Sequence, residues 1–144
     1  MKQLFTAVLL VLTLTAFGQT QYFNTNGVAI HGYDPVAYFT ENAAVEGSKQ
    51  FTYSWMGTEW HFKNQANLDT FKANPEKYAP QFGGYCAYGM SEDHKSPTEA
   101  DAFTIVEGKL YLNYNTKVRT MWQKDIPGRI RKAETNWVNL KDKN

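Results

Sequence analysis

The sequence is poor in cysteine: Cys86 is the only one in 144 residues. A single thiol cannot form an intramolecular disulfide, so the chain is not one of the small exported proteins held together by disulfides. The lone sulfur needs another explanation. A buried small side chain, a metal ligand, a redox-reactive group and an intermolecular bridge all remain open.

An excess of charge of one sign is also missing, with 15 basic and 14 acidic side chains. Such a balance does not steer a protein toward nucleic acid or an anionic membrane, so we expect neither as a partner. Internal repeats, low-complexity tracts and a Pro-, Gly- or Ser-rich linker are lacking, which favours a single domain. Aromatic residues are plentiful at 15%, which suggests a core built on rings.

The first residues have the layout of a signal peptide. Lys2 precedes an apolar stretch from Leu4 to Phe17, and Ala16 and Gly18 put small residues around a cleavage position. The stretch is shorter than the roughly 20 residues that span a bilayer, and no lipid-acceptor cysteine follows it. We therefore expect cleavage after residue 18, export to the periplasm or the cell exterior, and no stable membrane insertion. Residues 19–26 are then a polar lead-in to a domain at 27–140.

Two hairpins stand out in the mature sequence. Polar and aromatic residues alternate on both sides of Met56-Gly57, and a second alternating pair flanks Glu107-Gly108. Alternation places Trp60 and Phe62 on one face of their strand and His61 on the opposite face. The predicted strands are 50–55, 59–62, 103–106 and 109–114, with a further short strand at 28–30.

Helix signals fill the space between the hairpins. Asp34 followed by Pro35 predicts a capped short helix, and Asn64 predicts the start of another that ends near Pro75. A short helix is also expected after the glycine-rich stretch near Cys86. Two final helices are predicted at 116–124 and 127–140. The fold class that follows is α+β, with a small antiparallel sheet built from hairpins and packed against several short helices.

Several stretches of this sequence resemble the YHS domain family, in particular its exported, single-domain members. The segments that carry the resemblance are GYDPVAYF (32–39), FKANPEKY (71–78), GGYCA (83–87), KLYLNY (109–114) and WQKDIPG (122–128). The resemblance to YHS domains attached to heavy-metal pumps implies binding of copper or a similar soft metal. It therefore makes a metal ion an expected ligand or cofactor.

The chain departs from the pump-type pattern at the usual thiolates. Ala37 stands where the family's D-P-V-C form has cysteine, and Lys63-Asn64 replaces an expected C-S pair. Another set of soft donors remains. Cys86, Met90 and His94 are spaced i, i+4 and i+8, which on a helix would form one stripe of thiolate, thioether and imidazole suited to Cu(I). The same spacing is also typical of a buried helical stripe in which cysteine and methionine are ordinary core residues.

Other candidate residues lie in the family motifs. His31 precedes the GYD turn and would join a metal site if that turn meets the GGYCA motif. Tyr33, Asp34 and Tyr85 would line a pocket for a small molecule. The alternative is that Asp34 caps a helix and the tyrosines are core rings with their hydroxyls at the surface.

Catalytic signatures are missing from the sequence. It contains no serine elbow, phosphate-binding glycine loop or paired-carboxylate motif, and a nucleophilic cysteine would need a histidine beside it. We therefore do not expect an enzyme. The leading hypothesis is handling of a copper-type soft metal near Cys86. The alternatives are a non-catalytic binding module for a small organic ligand or partner protein, in which Cys86 is structural, and thiol-based redox chemistry at Cys86.

Overall fold

The computed structural model describes residues 22–144. The predicted signal peptide and the first residues of the predicted lead-in lie outside this described part. Within it, no helix is both long enough and apolar enough to cross a membrane.

A four-stranded sheet forms the first half of the fold. Its strands are β1 (Asn24–Thr25), β2 (Val28–Ala29), β3 (Ser48–Trp55) and β4 (Thr58–Phe62), in the order β1-β2-β4-β3. The β3–β4 pair is the predicted first hairpin, and Met56 and Gly57 in its turn have positive φ angles of 52° and 72°. Strand β2 runs parallel to β4 through Val28 and Glu59, whereas the other pairs are antiparallel. The expected lead-in thus includes a strand, β1.

The second predicted hairpin forms a separate two-stranded sheet. It consists of β5 (Phe103–Val106) and β6 (Lys109–Leu112) around the turn at Glu107-Gly108. Strand β6 ends at Leu112, two residues before the predicted end. Asn113 follows it as a fully buried side chain, and its backbone N–H donates to the carbonyl of Ala102.

Six α-helices in residues 22–144 complete the expected α+β fold, in which a small sheet packs against short helices. Two asparagines, Asn64 and Asn115, accept hydrogen bonds from backbone N–H groups three residues ahead and so cap their helices as the sequence suggests. The helices are α1 (Ala37–Glu41), α2 (Gln65–Ala73), α3 (Pro75–Tyr78), α4 (Ala87–Ser91), α5 (Thr116–Trp122) and α6 (Ile126–Leu140).

The predicted start of the last helix at Pro127 is wrong by one residue. Helix α6 begins at Ile126, because Asp125 is its cap and accepts a 3.1 Å hydrogen bond from the Gly128 N–H. Pro127 then occupies the first turn, where its missing N–H leaves no hydrogen bond unmade. The residues expected to separate two helices therefore begin the second one.

Two hydrophobic clusters make up the core. The first packs α2 against the four-stranded sheet, with the ring of Phe71 5.0 Å from that of Trp60 and 5.2 Å from that of Phe62. The second joins α4, β6 and α6 around Met90 and Trp122. Rings dominate both clusters, which is the kind of core that the aromatic content suggests.

Candidate functional site

Cys86 lies at the start of α4, with only 2% of its surface exposed. Its Sγ accepts hydrogen bonds from the backbone N–H groups of Gly89 at 3.4 Å and Tyr114 at 3.2 Å. The thiol donates to Oδ1 of Asn113 at 3.5 Å, and that oxygen also accepts the N–H of Tyr88. The sulfur is thus enclosed and fully hydrogen-bonded within the protein. Such surroundings are those of a buried structural side chain, one of the explanations that the sequence leaves open for a lone cysteine.

The predicted helical stripe of soft ligands does not form. Met90 is fully buried in the second cluster, and α4 ends at Ser91, so His94 lies on the loop beyond the helix and is exposed. Asp93 adopts a left-handed φ of 65°, a conformation that ends helices, and the backbone N–H of His94 then donates to the carbonyl of Gly89 at 3.1 Å. The i+8 position therefore does not share a helical face with Cys86, and the expected geometry is wrong at His94.

His31 is exposed in the turn after β2, and both of its ring nitrogens have neighbours. Its Nε2 lies 2.7 Å from the carbonyl oxygen of Thr98, and its Nδ1 lies 3.3 Å from the hydroxyl of Thr25. The hydroxyl of Thr98 in turn donates to the carbonyl of Gly84. Thr98 therefore bridges His31, which precedes the GYD turn, and Gly84 of the GGYCA motif. Cys86 faces inward, however, while His31 faces a surface groove.

Asp34 is fully buried and engages both carboxylate oxygens. Oδ1 accepts the N–H groups of Val36 at 2.8 Å and Ala37 at 3.2 Å, which caps the start of α1. Oδ2 accepts the backbone N–H of Lys63 at 2.9 Å and the side-chain amide of Asn67 at 2.8 Å. A carboxylate with this many internal donors has no free lone pair facing solvent. The predicted ligand-binding role of Asp34 is therefore replaced by a structural one.

The two tyrosines proposed as ligand contacts lie on different surfaces. Tyr33 is half-buried beside a shallow groove of about 450 Å³ that also borders on His31. Tyr85 packs against the rings of Phe23 and Trp137, and burial raises the pKa of its phenol. The predicted trio of Tyr33, Asp34 and Tyr85 therefore does not line one pocket.

An open groove of about 620 Å³ lies beside β2 and β4. Sequence reasoning did not identify it, because its walls come from three separate stretches of chain. The sequence contains one indication of the groove: alternation along β4 places His61 on the face opposite the aromatic residues of that strand. The polar side chains that line this groove are Thr25, Asn26, His31, Glu46, Lys49, Glu59 and His61.

His61 is the most buried of these side chains, with 5% of the residue exposed. Its Nε2 lies 3.0 Å from Oε2 of Glu59. Two glycines make space for it. A Cβ on Gly47 would lie 2.6 Å from the carbonyl carbon of His61, and one on Gly32 would lie 3.2 Å from its Nδ1. The close approach of these backbones fixes the ring in the wall of the groove.

The two imidazoles share one hydrogen-bonding arrangement. In each, Nε2 faces an oxygen acceptor, the Glu59 carboxylate for His61 and the Thr98 carbonyl for His31. A neutral imidazole carries one N–H, so these acceptors place the proton on Nε2 and leave a lone pair on Nδ1. Among the described residues, Nδ1 of His61 has no hydrogen-bond partner. Nδ1 of His31 has only the long contact to Thr25.

The groove contains few atoms that could bind a metal ion. Within residues 22–144, no group of three or more His, Cys, Asp or Glu side chains is arranged to hold a metal ion. The two Nδ1 atoms with their oriented lone pairs are nevertheless the kind of nitrogen donor that transition metals bind. A metal ion in the groove would therefore need further ligands from solvent or from a guest molecule.

The fold and the groove define a small α+β domain with a polar, imidazole-containing binding surface. Comparison with protein families identifies it further: the model of the YHS domain matches residues 36–82. Residues 36–82 are therefore similar to the YHS domain, in agreement with the resemblance that the sequence motifs carry. The match includes Glu46, Lys49, Glu59 and His61 of the groove, whereas His31 and Cys86 lie outside it.

Searches of curated proteins and of solved structures found no match to the chain. Among these comparisons, only the match to the YHS domain therefore carries information about function. YHS domains are associated with the handling of metals such as copper.

Proposed function

We propose that the protein is an exported, non-catalytic YHS-domain protein that binds a copper-type metal ion in the groove. The ligands are Nδ1 of His61 and Nδ1 of His31, and Cys86 stabilises the fold. One observation carries the proposal: both imidazoles hold Nε2 against an acceptor and line the same groove. The predicted signal peptide supports the exported location.

The available donors favour a divalent ion over Cu(I). Thiolate and thioether groups select Cu(I), but Cys86 and Met90 are in the core, whereas imidazole and carboxylate groups suit Cu(II) and Zn(II). Among first-row divalent ions, a nitrogen and oxygen site of this kind binds Cu²⁺ most tightly. We therefore assign Cu(II) as the cargo instead of the Cu(I) that the predicted soft-ligand stripe favoured.

Glu59 supports the site without needing to contact the ion. Its carboxylate accepts the Nε2–H of His61, which holds the ring orientation and raises the basicity of Nδ1. Partners of this kind typically contribute about 10–100-fold to metal affinity. The groove also contains Glu46, whose negative charge favours a cation nearby.

The direct test is a calorimetric titration with Cu²⁺ in the presence of a competing chelator. We expect His31→Gln and His61→Gln each to lower the affinity by about 10-fold or more, since each removes a nitrogen donor. The chain has three histidines, so His94→Gln is a matched control that keeps both groove ligands. Cys86→Ala serves as the second control. Unchanged affinity in both groove variants together with loss of binding in Cys86→Ala would overturn the proposal.

Paramagnetic broadening provides a readout that does not depend on a variant folding. Substoichiometric Cu²⁺ should broaden the imidazole NMR signals of His31 and His61 in the unmodified protein and leave His94 sharp. A double variant, His31→Gln with His61→Gln, measures any copper held elsewhere on the chain. Equal broadening of all three imidazoles would count against a site in the groove.

A further inference from the structure

A second cavity, of about 310 Å³, lies between α4, the end of α5 and the first turns of α6. Among the described residues, none that lines this cavity also lines the groove. Three of its residues, Lys124, Asp125 and Gly128, belong to the WQKDIPG segment (122–128). The cavity is therefore separate from the proposed metal site, and it involves a motif to which that site gives no role.

Cationic side chains dominate the lining of this cavity. Lys124, Arg129 and Lys132 line it against one acidic residue, Asp125. The carboxylate of Asp125 is turned toward the backbone, where Oδ1 accepts the Gly128 N–H and the group fills the space that a side chain on Gly128 would need. Both lysines are exposed, and within residues 22–144 neither ammonium group takes part in a hydrogen bond or an ion pair.

Arg129 is held in place by α4. Its guanidinium carbon lies 4.1 Å from the centre of the Tyr88 ring, and its Nη1 pairs with the carboxylate of Glu92. Hydrogen bonding to Arg129 is the main cause that lowers the pKa of Glu92, and the charge of Lys132 adds to the shift, so Lys132 lies on the same side of α6. Since Glu92 offsets the charge of Arg129, the two lysines are the cations that remain for a ligand.

The same cavity also has an apolar part. Met121, a side chain 39% exposed, and the half-buried ring of Tyr88 both line it. Thioether and aromatic groups pack well against the apolar part of a ligand. Lysine binds phosphate as a point charge, and a phosphate monoester carries close to two negative charges on an organic group. A ligand of this class therefore matches the two lysines and the apolar wall together.

We propose that this cavity binds a small phosphate monoester with an apolar substituent, with Lys124 and Lys132 at the phosphate and Met121 at the substituent. Binding is non-covalent, so no bond is made or broken. The inference goes beyond the proposed function and uses none of the groove residues.

The test is a titration of the metal-free protein with phenyl phosphate, followed by calorimetry and by NMR of the backbone amides. About pH 8 keeps the phosphate doubly charged, and about 0.15 M salt screens attraction to scattered surface charges. We expect the amide signals of Gly128 and Lys132 to shift. Phenyl phosphate should bind about 5–10-fold more tightly than inorganic phosphate, because part of its ring is buried. It should bind about 3–5-fold more tightly than phenyl sulfate, which has a similar shape and a single charge.

Variants of the lining residues locate the site. Lys124→Gln and Lys132→Gln should each lower the affinity for phenyl phosphate by about 3–5-fold. Met121→Gln should reduce the preference for phenyl phosphate over inorganic phosphate. Lys117→Gln is the matched control, because Lys117 is exposed on α5 outside the cavity lining, and it should leave the affinity unchanged.

Four outcomes would overturn the inference. Equal losses in Lys117→Gln and in the two cavity variants would mean that only general surface charge attracts the anion. Unshifted signals of Gly128 and Lys132 would place the ligand elsewhere. Affinities for inorganic phosphate or phenyl sulfate equal to that for phenyl phosphate would exclude the assigned ligand class. Loss of binding in the double variant His31→Gln with His61→Gln would move the ligand to the groove. None of these measurements uses copper, so the proposed function is tested separately.

Discussion

At the scale of single residues, Asp34 is a buried charge surrounded by donors. Its four hydrogen bonds join the start of α1 to the end of β4 and to α2. A buried carboxylate is tolerated only when such donors replace the water it has lost. The residue therefore connects three elements of the YHS segment at one point.

Replacing Asp34 with asparagine should destabilise the protein by about 2–3 kcal/mol, because one side-chain oxygen becomes an NH₂ group. Whichever way the amide turns, it places a donor against backbone or side-chain donors that Asp34 now satisfies. Urea unfolding measures the loss. Asp69→Asn is the matched control, since Asp69 is exposed on α2 and bonds only through an acceptor that asparagine retains. Equal unfolding midpoints for the two variants would contradict this account.

The local part of Asp34's role could be read from the sequence, and the rest could not. Asp followed by Pro before an apolar turn predicts a cap, and Oδ1 does bond the next two available N–H groups. The partners of Oδ2 are Lys63 and Asn67, which lie 29 and 33 residues away. No short-range pattern specifies such contacts. Cys86 is a similar case, because its thiol donates to Asn113 and its sulfur accepts the N–H of Tyr114, which lie 27 and 28 residues away.

At the scale of elements, the groove depends on how closely the start of β3 approaches β4. Gly47 has no side chain, and its N–H donates to the carbonyl of Gly32 at 2.8 Å while its Cα faces the backbone of His61. A methyl group there would lie 2.6 Å from the carbonyl carbon of His61 and would force the two segments apart. This contact holds His61 in the groove wall.

Gly47→Ala should therefore cost about 2–3 kcal/mol through steric overlap and also weaken Cu²⁺ binding, since His61 must move. Gly108→Ala is an instructive control: nothing lies within 4 Å of its added methyl, but its φ of 73° is unfavourable for alanine. That variant should lose about 1 kcal/mol and keep its copper affinity. Unfolding midpoints and copper titrations check both expectations. A Gly47→Ala protein with unaltered stability and affinity would show that the wall is not rigid.

The elements with strong local patterns were predictable, and those set by distant pairing were not. The two hairpins follow from alternation and turn residues, and Asn64 and Asn115 identify their helix starts. Strand β1 has two residues, too few for any periodicity, so it looked like a polar lead-in. The parallel pairing of Val28 with Glu59 brings His31 and His61 to one groove, and nothing local in the sequence encodes that pairing.

At the scale of the whole molecule, Tyr22 connects the first described residues to the sheet. Its ring lies 5.2 Å from the rings of both Trp55 and Trp60. Burial is the main cause that raises its phenol pKa from 10.0 to about 12, and the nearby charge of Glu76 adds to the shift. The folded protein thus favours the neutral phenol more strongly than the unfolded chain does.

The sign of this shift predicts a loss of stability at alkaline pH. A raised phenol pKa contributes stability that is complete below pH 10, the unfolded value, and declines as pH rises toward about 12, the folded value. The loss specific to Tyr22 should be about 1 kcal/mol by pH 11, because partial exposure of the ring screens the effect. Tyr22→Phe keeps the aromatic packing and should be less sensitive over this range. Tyr114→Phe, at a residue 49% exposed, should behave like the unmodified protein.

Urea unfolding at pH 9, 10 and 11 distinguishes these expectations. Other buried phenols, above all Tyr38, also resist ionisation in the fold, so the unmodified protein and both variants should lose stability as the pH rises. The prediction concerns the difference: the curve for Tyr22→Phe should fall less steeply than the other two. If all three curves are parallel, Tyr22 ionises as freely in the folded protein as in the unfolded chain. Its contact with Trp55 and Trp60 would then not hold the lead-in against the sheet.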